Sequence, residues 1–308
     1  IFISHKLHEV LTLSDRITVL RNGRVTGETT PCDTSREDLA RMMVGRSVNL
    51  APDLTKVETG AARLSINGLV VGGDRGVDAV RGLDLEVKGG EILGIAGISG
   101  NGQRELAEAV SGLRPVIRGG VAIDGQSIDL KQPKTVRQAG LAYVPEERMR
   151  DGAIGDFSVT ENLILLNHAE PDYCRRGFLR FGAIGGHCRK LVDAFAVKTP
   201  HLETPAKNLS GGNIQKLIMA RELSGNPKVL IAAQPTRGVD VGSIEFIHKR
   251  LIDARDAGAA VLVISADLEE VLSLSDRIAV IYEGEIVGEL MPEEASEGRL
   301  GLLMTGGG

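Results

Sequence analysis

At 308 residues the chain can hold more than one domain, and 42% apolar with 25% charged residues is the balance of a globular protein, which excludes general disorder. A formal net charge of −5 with no Lys/Arg block argues against a nucleic-acid footprint. Cys32, Cys174 and Cys188 are odd in number and lack metal-ligand spacing, as reduced thiols do, and neither a ~20-residue apolar run nor a signal peptide is present, so membrane association would go through a partner.

Ile1 to His5 read as the end of a strand cut within a domain. Shifting the sequence by 261 positions lays Ile3-Ser4-His5 over Ile264-Ser265-Ala266 and Leu13-Ser14-Asp15-Arg16-Ile17 over Leu274-Ser275-Asp276-Arg277-Ile278, with about fifteen of twenty-six pairs identical up to Glu28. A period this long signals duplication of a domain, not a solenoid. Residues 1–45 are therefore expected to be the tail of a first domain whose remainder is absent, 46–62 a linker (Pro52, Gly60, with only Arg46 and Lys56 basic), and 63–308 a second copy.

In the second copy, Leu64 to Val70 and Gly82 to Val87 alternate as antiparallel strands joined by a glycine-rich turn at 72–76. The apolar strand Ile92 to Ile95, the loop Gly97-Ile98-Ser99-Gly100-Asn101-Gly102 and a helix Glu105 to Gly112 form a strand, phosphate loop and helix. Residues 158–207 are helix-rich, with Ser158 and Glu161 spaced as a capping box. Strands 228–233, 260–265 and 277–282 then alternate with helices 243–256 and 268–274, predicting an α/β fold with a parallel sheet covered by helices. Between strand and helix, Asn208-Leu209-Ser210-Gly211-Gly212-Asn213-Ile214-Gln215-Lys216 puts a hydroxyl and backbone amides at the start of a helix read as amphipathic, an arrangement that attracts phosphate.

The glycine loop, the Leu209-to-Gln215 motif, the strand Val229 to Ala233 and Pro235-Thr236-Arg237-Gly238-Val239-Asp240, in that order, resemble the nucleotide-binding domain of an ABC transporter over most of residues 64–290. The resemblance implies a P-loop ABC ATPase domain: a mixed central sheet, an antiparallel β subdomain and a helical subdomain. It also implies head-to-tail pairing of two such domains, each ATP with its Mg2+ lying between the P-loop of one and the signature of the other.

Against that pattern the second copy is degenerate. A P-loop needs lysine and Ser/Thr after its last glycine; here Gly97 and Gly102 keep the spacing, but Gln103 and Arg104 follow, and Arg104 could face a phosphate only as a cation. Where the family has a magnesium-shell Asp and a catalytic Glu stand Ala233 and Gln234, and neither a methyl group nor an amide can do that work. Glu146 replaces the usual Gln, and would repel triphosphate unless Mg2+ or Arg148 offsets it. The repeat puts Ala266 where the first copy has His5, which the resemblance makes the switch histidine of the first domain. No Phe, Tyr or Trp occurs between residues 3 and 142 to stack adenine. His8, His168, His187, His201 and His248 are read as structural.

What survives is the signature, Ser210, Gly211, Gly212 and Gln215, with Asp240, which in the family contacts the opposite site but could simply cap a turn. Candidate ATP contacts are thus Gly97, Ser99, Gly100, Asn101, Gly102, Gln103, Arg104, Glu146, Ser210, Gly211, Gly212, Gln215 and Asp240, with His5 as the catalytic candidate. The endings Met42-Met43-Val44-Gly45-Arg46 and Pro235-Thr236-Arg237-Gly238-Val239-Asp240-Val241-Gly242 look like the ATP-binding subunits of bacterial simple-sugar importers, and 231–238 with 244–248 like the nucleoside-uptake branch. This implies permease subunits, a periplasmic or lipoprotein binding protein, and a peripheral place on the cytoplasmic face of the membrane, with Glu146 to Asn162 receiving a permease helix. The alternatives are a soluble tandem ABC protein acting on ribosomes or DNA, disfavoured by the short linker, and a non-hydrolysing regulatory module.

Overall fold

Runs such as Val229–Ala233 and Ala260–Ile264 carry no polar residue, and strands of this kind need cover on both faces. The computed structural model, which describes residues 1–49, 52, 54 and 57–307, supplies that cover; of the expected linker, Leu50, Ala51, Asp53, Thr55 and Lys56 lie outside the described residues.

The chain runs α1 (Leu7–Leu13), β1 (Ile17–Arg21), β2 (Arg24–Thr29), α2 (Arg36–Val44), β3 (Ala62–Gly72), β4 (Asp78–Lys88), β5 (Glu91–Ala96), α3 (Gln103–Val110), β6 (Val116–Ile123), β7 (Gln126–Ser127), α4 (Pro133–Gln138) and β8 (Leu141–Val144). There follow α5 (Val159–Ile164), β9 (Cys174–Arg175), β10 (Phe178–Leu179), α6 (Phe181–Ala194), α7 (Gly211–Leu223), β11 (Val229–Ala233), α8 (Val241–Asp256), β12 (Ala260–Ile264), α9 (Leu268–Leu274), β13 (Arg277–Tyr282), β14 (Glu285–Leu290) and α10 (Glu297–Met304). The central sheet has six strands in the order β14-β13-β5-β12-β11-β8, all parallel except β14, and β4-β3-β6-β7 form an antiparallel sheet. The mixed central sheet, the antiparallel subdomain and the helical segment are as expected.

Alternation along the central strands divides the core. Leu93, Ile231 and Leu262 pack toward the antiparallel sheet, while Ile92, Leu230, Val261 and Val263 pack toward the helices.

The two segments related by the 261-residue shift fold alike. α1-β1-β2-α2 repeats α9-β13-β14-α10 down to a bulge at Val19/Leu20 matched at Val280/Ile281. Left-handed pairs Asn22-Gly23 and Glu283-Gly284 make the hairpin turns, and Ser35 and Ser296 cap the last helices. Strand β13 has β5 on its second edge, whereas β1 pairs with β2 alone among the described residues. Leu39, Ile17 and Val19 pack against Val241 at the start of α8; Arg36 bonds Glu269 twice, at 2.7 and 3.3 Å, and Arg46 meets Glu245 at 2.5 Å.

Three expectations need correction. Residues 1–5 form no strand, because no neighbouring strand among the described residues offers them a ladder. Helix α3 starts at Gln103 instead of Glu105, since the left-handed Gly102 (φ 98°) turns the chain directly into it. And α7 is not amphipathic: Ile214, Gln215, Leu217, Ile218, Met219 and Ala220 are all buried, because α5, α6, α8 and β8 surround it.

Candidate functional site

The loop 97–102 leaves β5 and enters α3 with no side-chain cap. A Cβ on Gly102 would collide with the Ala79 carbonyl, so only glycine fits there. Gln103 is 9% exposed and folds back into its own loop: Nε2 donates to the Ile98 carbonyl at 3.0 Å, and Oε1 accepts from Asn101 N–H at 3.1 Å. Asn101 in turn accepts from Glu283 N–H on Oδ1 and from Gly284 N–H on its carbonyl, pinning the loop to the β13–β14 turn. Ser99 and Gly100 stay exposed at the tip.

Arg104 does not face this loop. Its Nε donates to Glu108 at 2.7 Å and it lies 3.6 Å from Asp74, in a network completed by Arg114, which bonds Glu108 at 2.7 Å and Asp74 at 2.9 Å. Arg114, first through its hydrogen bond, holds the Asp74 carboxyl below its ordinary range. The i, i+4 spacing of Arg104 and Glu108 was the sequence signal for this pair.

At the strand ends, Ala233 is buried and Gln234 adopts φ 49°. The Gln234 backbone N–H donates to the Ile264 carbonyl at 2.7 Å, and its side-chain oxygen accepts the Ala266 N–H at 3.2 Å. Glu146 is offset not by Arg148 but by Arg237, which forms its ion pair and also lies 3.8 Å from Glu147. Burial, and then the charge of Arg237, draws the Arg148 guanidinium below its ordinary value.

The start of α7 differs. Ser210 is the N-cap residue, but its hydroxyl makes no bond to the helix amides; exposed, it accepts only from Asn213 Nδ2 at 2.8 Å. The amides of the first turn and the positive helix end are thus open to an anion. Gly212 lets this turn approach α8: a Cβ would sit 2.5 Å from Ser243 Oγ and 2.9 Å from Asp240 Oδ2. Asp240 caps α8, accepting from Ser243 N–H at 3.0 Å and Ser243 Oγ at 2.8 Å. Gln215, expected among the ATP contacts, is wholly buried, with neither amide atom bonded among the described residues.

His5 is exposed just before α1. The turn around it matches the second copy: Lys6 N–H donates to Ser4 Oγ at 3.0 Å, as Asp267 N–H donates to Ser265 Oγ at 3.1 Å, which sets His5 and Ala266 in equivalent places.

Between β8, the π-type turn Arg148–Gly152 and the end of α5 lies a groove of about 250 Å³, lined by Leu113, Pro133, Tyr143, Pro145, Ile154 and Leu166. Buried Glu222 holds Arg221 at 2.9 Å and Arg137 at 2.8 Å at its edge. Asn162, fully buried, fastens the neighbouring loop by accepting from Ile154 N–H and donating to the carbonyls of Ile154, Phe157 and Ser158. The capping box of Ser158 and Glu161 is formed.

Among the described residues, no group of three or more His, Cys, Asp or Glu is placed to hold a metal, and no helix is long and apolar enough to cross a membrane.

Residues 80–237 match the family model described as ABC transporter. The chain is 47% identical over 310 residues to a glucose import ATP-binding protein of Haloferax volcanii, covering 100% of this chain and 56% of that protein. It is 46% identical over 294 residues to a guanosine import ATP-binding protein of Bacillus subtilis, covering 96% and 58%. It thus spans little more than half the length of these curated relatives. Among solved structures, a dimeric ATP-binding cassette in a post-hydrolysis state with ADP and Pi superposes with a TM-score of 0.63 at 22% identity, over 74% of this chain and 98% of that one.

Proposed function

The chain belongs to the ABC transporter ATP-binding family, and on that premise we propose that it is the C-terminal part of a tandem energy-coupling subunit of an importer for nucleosides or simple sugars. Residues 1–45 are the tail of a first ATPase domain, 46–62 the linker and 63–308 a second domain. The free edge of β1 is where the first domain's own P-loop strand would pair, as β5 pairs with β13 here.

One observation supports this reading: the groups that would meet a nucleotide on the P-loop side are bonded to one another, while Ser210 is exposed and its hydroxyl leaves the first amides of α7 uncapped. The second domain then serves as signature donor. In the composite site, ATP would supply the phosphoryl group and Mg2+ would neutralise its charge; Ser210, Gly211 and Gly212 contribute donors where charge develops, and His5, just before α1, is contributed by the first domain's tail. The second domain's own residues do not fit Mg2+, because Arg104 and Ala233 present no oxygen where the hydroxyl and carboxylate belong.

The groove beside β8, walled by apolar side chains and braced by Asn162, is the seat for a cytoplasmic helix of the permease. A substrate-binding protein would complete the complex outside, with this subunit peripheral on the cytoplasmic face. The glucose and guanosine importers among the relatives support both substrate classes.

Steady-state ATPase assays on the full-length protein test the asymmetry. Ser210→Arg sets a bulky cation at the phosphate position and should cost at least about 100-fold; Gln103→Ala should cost less than about twofold, having no transition-state contact to lose. Equal losses would mean that both sites turn over.

A further inference from the structure

The β9–β10 hairpin takes no part in the site above, and its surface is unlike the rest of the chain. Of the six phenylalanines, Phe195 and Phe246 pack edge to face with centroids 6.2 Å apart, whereas Phe178 and Phe181 are 79% and 76% exposed and Leu179 is 42% exposed. One exposed hydrophobe is ordinary, but three within four positions form a patch that needs a partner. Arg175, Arg176 and Arg180 are interleaved with them, all exposed. Among the described residues the Arg180 side chain donates only to the Asp172 carbonyl, and none of the three forms an ion pair.

The projection is built to hold its shape. Arg176 (φ 53°) and Gly177 (φ 83°) make a two-residue turn that matches strand twist, and the register sets Phe178 opposite Arg175 on one face. Arg180 N–H donates to the Tyr173 carbonyl at 2.8 Å, Cys174 N–H to the Glu170 carbonyl at 2.8 Å, and the Tyr173 ring rests on His187 with centroids 5.1 Å apart. These bonds tie the base to α6 and leave the aromatic tip outside.

We propose that this hairpin docks on the anionic headgroup layer of the membrane, Phe178 and Phe181 entering the interface while the arginines meet lipid phosphates. Charge selects this occupant: residues 168–190 carry five Lys/Arg against Glu170 and Asp172, in a chain of net charge −5, and flat apolar rings interleaved with long cationic side chains suit the boundary between headgroups and acyl chains. Position agrees. Leu165 and Leu166 line the groove, and the chain reaches β9 eight residues later, so the hairpin is tethered to the groove by a short stretch of chain. Its orientation toward the bilayer rests on the importer reading, in which that groove faces the permease. A single hairpin is a weak anchor by itself, and acts as a second attachment beside the permease.

The test is sedimentation of the purified 308-residue chain with permease-free vesicles of phosphatidylglycerol mixed equally with phosphatidylcholine, and with phosphatidylcholine alone. The chain should pellet with the anionic vesicles and be released by about 1 M salt, where the screening length is about 3 Å. Phe178→Ser/Phe181→Ser and, separately, Arg175→Glu/Arg176→Glu should each weaken partitioning by about tenfold or more, with unchanged circular dichroism and melting temperature. A chain that stays in the supernatant, or double variants that partition like the parent, would overturn the proposal. Recruitment to the permease that is lost in Phe178→Ser/Phe181→Ser without any vesicle binding would assign the hairpin to a protein partner, and overturns it equally. Because the vesicles hold no permease, lipid binding can fail while permease recruitment stands, so the two readings fail separately.

Discussion

The side-chain oxygen of Gln234 accepts the backbone N–H of Ala266 at 3.2 Å, joining two of the positions that differ from the family pattern set out above. The left-handed backbone of Gln234 (φ 49°) delivers its amide to that N–H, so the strand end is closed by a neutral hydrogen bond where a general base and a histidine would stand.

Restoring single groups should therefore restore nothing. The 308-residue chain as a monomer is expected to release no phosphate from Mg2+-ATP above background, and Gln103→Lys/Ala233→Asp/Gln234→Glu in the same monomer should be as inactive, since a P-loop needs the signature of a second domain. Clear magnesium-dependent turnover by either protein would refute signature donation from across the dimer.

Gln103 is a structural clasp in this reading. Gln103→Ala removes the bonds to Ile98 and Asn101 and leaves those two groups with only their mutual backbone bond of 3.3 Å. The expected loss is about 1–2 kcal/mol in urea unfolding, at about 1 kcal/mol per bond. No change would mean that water replaces the side chain at no cost.

Asp240 has two separable roles. Asn caps a helix as well as Asp does, so Asp240→Asn should keep α8 and its melting temperature, while Asp240→Ala should lose about 1 kcal/mol of stability. If the carboxylate also meets the opposite nucleotide site, Asp240→Asn in the full-length protein lowers ATPase activity about tenfold with folding intact, a size fitting one charged contact. Unchanged activity would confine Asp240 to the cap.

The sequence was most legible where local chemistry decides the structure. Val229–Ala233 and Ala260–Ile264 lack polar side chains and are short enough for strands covered on both faces, and Ser158 with Glu161 announces its capping box. The repeat placed His5 against Ala266 because identical Ser-x-x turns frame both. What stayed hidden depends on distant partners. Arg237 reaches Glu146 across ninety-one positions, Arg36 reaches Glu269 across 233, and no periodicity foretells either. The inward turn of Gln215 was hidden for a related reason: α7 is packed on nearly every side, which makes a polar residue no guide to the exposed face.

Cys188 offers a pH test of the helical subdomain. Its thiol is fully buried beside the Thr160 carbonyl, and burial pushes its pKa up to about 11 from an ordinary 9.0. Below about pH 9 the folded and unfolded chains both keep the proton, and this group adds no pH dependence. Between those two values the unfolded chain releases a proton that the folded chain retains, so stability falls as pH rises, by up to about 1.4 kcal/mol per pH unit. Cys188→Ala removes that slope and leaves other alkaline titrations in place. The difference in urea stability between parent and variant should be constant near neutrality and shrink steadily above about pH 9. Iodoacetamide at mildly alkaline pH should meanwhile label exposed Cys32 and spare Cys188 in the folded chain. Rapid labelling of Cys188, or parallel stability curves for the two proteins up to about pH 11, would show that α6 opens to solvent and does not seal the thiol against α5.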